Sequence, residues 1–173
     1  MSSADKQPKL VVRVQAEPFD IAAEIAAVSA GRTDIGAVAT FTGFCRDEGG
    51  VLSALEIEHY PGMAEKEIGR VVDKALERWP LEAVTVIHRH GRIVPGDGIV
   101  LVVTAGYHRA ETFAAAEFLM DYLKTSAPFW KRQQLGDGAL GGWVSAKTED
   151  DEAAARWAKK EGGSPEPSPK PSS

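Results

Sequence analysis

The residues with the clearest chemical potential flank a break in a predicted helix in the last third of the chain. Lys124 lies in the last turn of that helix, and Lys131 and Arg132 follow the segment Ala127-Pro128-Phe129-Trp130. Proline has no N–H and disfavours a helical conformation in the residue before it, so the helix is predicted to stop by about Ala127. Three cations around a rigid aromatic corner are typical of a site that binds an anion.

Further candidates follow the ends of predicted strands, where loops on a rigid scaffold commonly carry sites. Arg46 follows a predicted strand at 35–44, and His108 with Arg109 follows another at 99–105. Arginine holds a phosphate through two N–H groups at once, whereas lysine acts as a mobile point charge. A lysine crowded by other cations has a lowered pKa, and its amine can then act as a base or a nucleophile.

Lys124, Lys131, Arg132 and Arg46 also have an ordinary structural explanation. Lys124 lies three residues after Asp121, which allows an ion pair on the helix surface, and a helix C-terminus favours a cation in any case. Lys131 and Arg132 fit solvated charges on an edge strand, and Arg46 fits a solvated turn. Spacing by itself leaves both interpretations open.

Cys45 and two histidines suggest other chemistries. Cys45 lies between Phe44 and Arg46, where a neighbouring cation would lower the thiol pKa, but a small packed hydrophobe is the alternative. His88 and His90 are two residues apart on a predicted strand, so they face the same side and suit a metal-dependent hydrolase. The sequence indicates no third ligand.

Composition excludes several classes of protein. The chain has 173 residues, 43% hydrophobic and 26% charged, which suits one domain with a real core. A net charge of −5 argues against a general nucleic-acid binder, and the single cysteine excludes an intrachain disulfide. The first residues lack the apolar segment of a signal peptide and no run is long enough to span a membrane, so a cytoplasmic protein is expected.

The predicted elements that position these residues run in the order β-α-β-β-α-β-β-α-β-α. Residues 35–44 form an apolar run that predicts a central strand buried on both faces, and 35–59 is expected to be a hairpin. A second central strand is predicted at 99–105. Strand pairs between helices indicate an α+β fold with mostly antiparallel pairs and helices packed on the sheet. The expected division is a flexible segment at 1–9, one catalytic domain at 10–160 and a disordered Pro/Ser-rich tail at 161–173.

Several long motifs occur together in a characteristic order, at 41–46, 55–66, 86–89, 108–109 and 121–132. On these stretches the chain resembles the large, catalytic subunit of molybdopterin synthase from about Leu10 to Lys160. The resemblance implies an α/β-hammerhead-type fold and a homodimer, with one small ubiquitin-like sulfur-carrier subunit on each copy to give a heterotetramer. No cofactor and no metal are expected, and neither nucleic acid nor a membrane is expected as a partner.

The implied reaction is sulfur transfer to cyclic pyranopterin monophosphate, which creates the dithiolene of molybdopterin. The sulfur would arrive as a thiocarboxylate at the Gly-Gly C-terminus of the carrier. Lys124 matches the family's catalytic lysine and Lys131 a second functional lysine. The positions that match substrate-lining stretches are Phe44, Cys45, Arg46, His108, Arg109, Lys124, Lys131, Arg132 and Gln133.

The resemblance suggests separate roles and leaves one competitor from another class. Lys124 would act at the reacting centre, Arg46 and Arg109 would anchor the phosphate or pterin, and His108 would carry a proton. Because the family is dimeric, some of these side chains would reach the neighbouring subunit's pocket. Cys45 stands where an aliphatic residue is usual, and Gln133 where an acidic residue is common. The competitor is a non-catalytic module that captures an anionic peptide tail with the same cations.

Overall fold

Two four-stranded sheets and four helices make up the part of the chain that the structure describes. The structure is a computed structural model, and it describes residues 7–144 and 148–159. The strands are β1 (Lys9–Gln15), β2 (Ala37–Phe44), β3 (Leu52–His59), β4 (Leu81–Arg89), β5 (Gly91–Ile93), β6 (Gly98–Gly106), β7 (Phe129–Leu135) and β8 (Leu140–Val144). The helices are α1 (Ile21–Ser29), α2 (Met63–Arg78), α3 (Arg109–Ser126) and α4 (Thr148–Lys159). The predicted α+β class is confirmed.

The first sheet has the strand order β1-β4-β6-β2. Strand β1 pairs with β4 in parallel, and the other two pairings are antiparallel. Strands β4 and β6 consist largely of buried aliphatic residues, as a strand covered on both faces requires. The prediction that 99–105 forms a central strand is confirmed.

The predicted hairpin at 35–59 is wrong. Strand β2 pairs with β6, which brings Phe41 opposite Val102, and β3 belongs to the second sheet. The predicted burial of β2 on both faces is also wrong, because β2 is an edge strand with Val38 and Phe41 exposed. An apolar run cannot reveal its pairing partner, and this partner lies about sixty residues away in the chain.

The second sheet is antiparallel, with the strand order β5-β3-β7-β8. Strand β7 continues directly from the end of α3 and pairs with β3, so that Lys131 lies opposite Ile57. The last strand begins at Leu140, and residues 145–147 lie outside the described part. This sheet therefore fixes where the second lysine of the motif lies.

The helices cover the first sheet with the apolar faces that their spacing predicts. On α2, Ile68, Val71, Val72 and Ala75 are buried, and Phe118 of α3 is fully buried beneath them. Burying a large aliphatic or aromatic side chain contributes roughly 1.5–3 kcal/mol. Helix α3 is thus held firmly along its length, which matters because both of its ends carry candidate site residues.

The ends of the chain fall mostly outside the described residues. Residues 1–6 and 160–173 are not described, so the predicted disordered tail at 161–173 lies outside them. Lys9 already belongs to β1, although the flexible segment was expected to include it. Within residues 7–144 and 148–159, no helix is long and apolar enough to cross a membrane.

Candidate functional site: a cavity with two lysines

Helix α3 ends where the proline predicts. Its last residue is Ser126, and Ala127 adopts an extended conformation with φ −72° and ψ 130°. The Phe129 N–H donates to the Ala127 carbonyl at 2.8 Å, and β7 begins at that residue. The chain therefore changes direction within two residues, because proline excludes a further helical turn.

This change of direction brings Lys124 and Lys131 to the same cavity. Lys124 reaches it from the last turn of α3, and Lys131 reaches it from β7. We call it the lysine cavity; it is lined by these two lysines, His88, and apolar groups that include Phe44 and Phe129. The two cations, seven positions apart in sequence, therefore address one space.

The alternative in which Lys124 pairs with Asp121 is not what the structure shows. The Asp121 carboxylate accepts a hydrogen bond of 2.7 Å from the Trp157 indole N–H, and the Arg156 guanidinium lies 3.5 Å away. Both partners come from α4, which packs against α3. Within the described residues, no carboxylate lies within 4.0 Å of the Lys124 amine. Residues of α4 therefore bind the Asp121 carboxylate, which the sequence spacing suggested as the partner of Lys124.

Lys131 lies in surroundings that disfavour its charge. Its side chain is half-buried between the sheet and the end of α3. Burial lowers the pKa of Lys131, and the neighbouring Lys124 lowers this pKa further, against smaller opposing effects of Asp150 and Cys45. In the lysine cavity, the Lys131 amine therefore loses its proton more readily than the amine of a solvated lysine does.

His88 lines the same cavity, although the sequence suggested it only as a metal ligand. It is buried near the end of β4, and its ring stacks on Phe129 at a centroid distance of 3.7 Å and an angle of 13°. Its Nδ1 lies 2.8 Å from the Arg89 carbonyl oxygen. Its proximity to the lysines depends on the contact between β4 of the first sheet and β7 of the second, which no local pattern predicts.

An open groove adjoins the lysine cavity and contains several of the predicted contacts. Phe44, Arg46 and Gln133 line it together with the two lysines. Arg46 is exposed, and its guanidinium pairs with the Glu48 carboxylate in the same loop. Such a surface pair is weak, so the guanidinium can leave it for a ligand anion at little cost.

Cys45 also borders this groove, but its surroundings do not favour a nucleophile. It is buried, and its Sγ lies 3.8 Å from the Ile93 carbonyl oxygen. Burial raises the pKa of the Cys45 thiol, and the charges of Asp97 and Asp47 raise it further. The thiol form is therefore favoured, as expected for a small packed side chain.

His108 and Arg109 lie far from the lysine cavity of their own chain. His108 is the N-cap residue of α3 and Arg109 is its first residue, and both are exposed. Fifteen residues separate Arg109 from Lys124, and a rise of 1.5 Å per residue puts them about 22 Å apart along the helix. One copy of the chain therefore does not combine these residues with the two lysines.

Arg132 is likewise directed elsewhere. Successive residues on a strand face opposite sides, so Arg132 faces away from the cavity that Lys131 lines. Its guanidinium lies over the Trp143 ring, 4.3 Å from the centroid, and 3.7 Å from the Glu58 carboxylate. The adjacency of the two cations in sequence does not make them neighbours in the site.

The histidine pair does not form a metal site with other ligands. His90 packs against His59 at a centroid distance of 4.3 Å, whereas His88 packs against Phe129. Across residues 7–144 and 148–159, no group of three or more His, Cys, Asp or Glu side chains is arranged to hold a metal ion. The hydrolase interpretation thus has no set of ligands in the described part of the chain.

Comparison with known proteins identifies the family of the chain. A family model described as MoaE protein matches residues 14–126. The molybdopterin synthase catalytic subunit of Mesorhizobium japonicum is 64% identical over 146 residues, which is 84% of this chain and 92% of that protein. The chain belongs to the MoaE family of molybdopterin synthase catalytic subunits.

Solved structures of this family share the fold. The MoaE protein from Burkholderia ambifaria has 47% sequence identity and a TM-score of 0.74, and the match covers 86% of this chain and 98% of that one. A molybdopterin synthase structure from Staphylococcus aureus has 30% identity and a TM-score of 0.67, covering 82% of this chain and 99% of that one. The MoaE model match includes Lys124 but ends before Lys131. The observation that relates Lys131 to Lys124 is therefore the cavity that both side chains line.

Proposed function

We propose that the chain transfers sulfur from the thiocarboxylated C-terminus of a small ubiquitin-like carrier subunit to cyclic pyranopterin monophosphate. The product is the dithiolene of molybdopterin, and the chain is then a sulfurtransferase of molybdenum cofactor biosynthesis. Membership of the molybdopterin synthase catalytic subunit family supports this proposal. The observation that carries it is the presence of Lys124 and Lys131 in one cavity, where burial and Lys124 lower the pKa of Lys131.

The two ligands of this reaction are both anions, which suits the charges at the cavity. Cyclic pyranopterin monophosphate carries a phosphate, and the carrier brings a thiocarboxylate. Lys124, Lys131 and Arg46 supply positive charge from three different elements around the cavity and its groove. Fixed cations in a partly enclosed site stabilise negative charge that develops during transfer more effectively than solvated cations do.

Lys124 is proposed to act at the reacting centre. Its amine has no carboxylate partner within the described residues, because α4 occupies Asp121. Lys131 is proposed as the second functional lysine, whose lowered pKa makes it suited to exchange a proton with the substrate. Arg46 is proposed to anchor the phosphate or the pterin from the rim of the groove, together with Phe44, Cys45 and Gln133 on its wall.

A second copy of the chain is proposed to complete the site. His108 and Arg109 are exposed at the far end of α3, about 22 Å from Lys124 along the helix. In a homodimer these two residues would reach the lysine cavity of the partner copy, where Arg109 would anchor the substrate and His108 would carry a proton. One carrier on each copy gives a heterotetramer. Arg132 faces away from its own cavity, so any substrate contact of Arg132 would also depend on the assembly.

Reconstitution from purified components tests the proposal. The chain is mixed with thiocarboxylated carrier and cyclic pyranopterin monophosphate, and molybdopterin is measured as its fluorescent oxidation product. We expect product with the wild type, and with Lys66→Ala as a control for loss of an exposed lysine on α2. Absence of product with the wild type would refute the enzyme proposal. Binding of the carrier without turnover would instead support the alternative, a module that only captures an anionic tail.

A further inference from the structure

One polar side chain of the lysine cavity has no part in the proposed roles. Among the described residues that line the cavity, only Lys124, Lys131 and His88 have polar side chains, and the others are apolar or glycine. A lysine ammonium donates hydrogen bonds but accepts none. While both lysines are protonated, His88 therefore has the one side-chain nitrogen of this lining that can accept a hydrogen bond from a ligand.

The contacts of His88 fix both its ring and the position of its proton. Its Nδ1 lies 2.8 Å from the Arg89 carbonyl oxygen, which only accepts, so Nδ1 carries the proton and donates it. Stacking on Phe129 at 3.7 Å, with ring planes 13° apart, restricts rotation of the imidazole. A neutral imidazole protonated on Nδ1 has its free lone pair on Nε2. The structure thus provides a preorganised acceptor on a side chain that lines the cavity.

The ring stays neutral under physiological conditions. Burial lowers the pKa of His88 to about 3, against the opposing effect of the Arg89 carbonyl. The nearby charges act in the same direction as burial: Lys131 on β7, Lys124 on α3 and His59 on β3 all lower this pKa. His88 therefore does not add to the positive charge that attracts anions, and Nε2 keeps its lone pair.

We propose that His88 is a specificity-determining residue, whose Nε2 accepts a hydrogen bond from an N–H group of the ligand while the lysines bind its anionic group. This inference rests on the proposed function, in which the cavity receives a peptide tail and a pterin. Both ligands offer an N–H near an anion, either on the tail backbone or on the pterin ring. An anion without such a donor leaves a buried acceptor unpaired, so it is bound less well.

The first experiment observes His88 directly in the wild-type chain. The chain contains four histidines, and the full-length protein labelled with ¹⁵N-histidine is studied by NMR. The His88 signals are assigned by their loss in His88→Gln. We expect a neutral ring with the proton on Nδ1 from about pH 8 to pH 5, where an ordinary histidine titrates. Protonation of the ring within this range would overturn the inference.

Two ligand arms then identify the donor. One arm adds carrier in its unreactive carboxylate form, with carrier lacking the terminal Gly-Gly as its control. The other arm adds cyclic pyranopterin monophosphate. A change of the Nε2 signal with intact carrier alone assigns the N–H to the tail, and a change with the pterin alone assigns it to the ring. An Nε2 signal that moves with neither ligand, nor with both together, would overturn the inference.

Kinetics supply a matched series of variants. His88→Phe keeps an aromatic ring against Phe129 but removes the acceptor, and His88→Gln restores a distal acceptor. We expect His88→Phe to lower kcat/KM by about tenfold for the ligand that donates, and His88→Gln to recover part of this loss. His90→Phe, two residues along and outside the lining of the cavity, should stay within about twofold of the wild type.

Failure of this inference is distinguishable from failure of the proposed function. If the function is wrong, the wild type makes no molybdopterin. If only the inference is wrong, the wild type makes molybdopterin and His88→Phe does so with wild-type kcat/KM for both ligands. The NMR arms need no turnover and do not use His88→Phe, so they decide the matter even if that variant is unstable.

Discussion

The two ends of α3 carry the same kind of residue in opposite surroundings. At the C-terminal end, Lys124 faces a cavity that β7 and the buried His88 help to enclose. At the N-terminal end, His108 and Arg109 are exposed, and the His108 ring contacts only the exposed Tyr107 among the described aromatic contacts. Lys124 is itself exposed, so the enclosure at this end belongs to the cavity that it lines and to the half-buried Lys131 beside it.

This difference indicates that the surroundings of a charged side chain, and not only its type, determine how strongly it acts on a ligand. In dilute salt, the interaction between two exposed charges is largely screened beyond about 10 Å. The interaction of a partly buried charge is screened much less. At the enclosed end, the lowered pKa of Lys131 is a consequence of its burial and of the nearby Lys124. The open end has no comparable surroundings of its own, so it can contribute fully only when another surface covers it.

The largest expected effect is at the enclosed end. Lys124→Ala should lower kcat by at least about 100-fold, since removing one preorganised charge or donor from a reacting centre typically costs that much. Single-turnover formation of molybdopterin measures the effect without interference from product release. Lys66→Ala is the control, and an undiminished rate in Lys124→Ala would refute the role of this lysine.

A mixed dimer tests whether the open end acts on the partner copy. Arg109→Ala alone should lower kcat/KM by about tenfold or more, because a bidentate anchor for an anion is lost. A dimer with one Lys124→Ala chain and one Arg109→Ala chain would contain one fully intact site. Molybdopterin formation by purified mixed dimers should therefore reach about half the wild-type rate per dimer. If Arg109 served its own chain, both sites would be damaged and activity would not exceed that of the Arg109→Ala homodimer.

The pH dependence of lysine labelling sharpens the contrast further. Only the neutral amine reacts with an acylating reagent, so a lowered pKa shifts labelling of Lys131 to lower pH than is usual for lysine. In Lys124→Met, the second cause of that shift is absent, and the labelling midpoint should move upward. Mass spectrometry after brief labelling over a pH series measures both midpoints. A midpoint unchanged by Lys124→Met would show that the two amines do not sense each other.

The smallest expected effect is that of replacing Pro128, which follows the end of α3. Pro128→Ala should lower the free energy of unfolding by about 0.4–1 kcal/mol, because alanine has more conformational freedom in the unfolded chain. Urea denaturation measures this change, and the activity assay measures how far the cavity tolerates it. Pro8→Ala, at an N-terminal position outside the helices and strands, is the control for loss of a proline. An increase in stability would contradict the role of Pro128 as the residue that ends α3.

Local patterns were sufficient wherever the cause is local. The end of α3 before Pro128, the apolar face of α2 and the buried strand at 99–105 follow from proline geometry and from spacing. Cys45 as a packed thiol also agrees with its burial. The residues that match the family's site could be named from sequence motifs, and their individual roles stay predictions.

Local patterns failed wherever the outcome depends on which elements meet. The run at 35–44 was expected to pair with the next strand, but its partner is β6. Asp121 was the obvious partner for Lys124, yet Trp157 and Arg156 of α4 occupy it. Spacing on one helix cannot reveal competition from another helix, because the competing residues are more than thirty positions away.

The sequence by itself determined the identity of the charged residues, the break at Pro128 and the family to which the chain belongs. Only the tertiary structure decided that Lys124 and Lys131 share a cavity with His88, and that His108 and Arg109 lie at the other end of the helix. The physical reason is that a residue type sets what a side chain can do. Long-range strand pairing and helix packing set its neighbours, its burial and therefore its pKa.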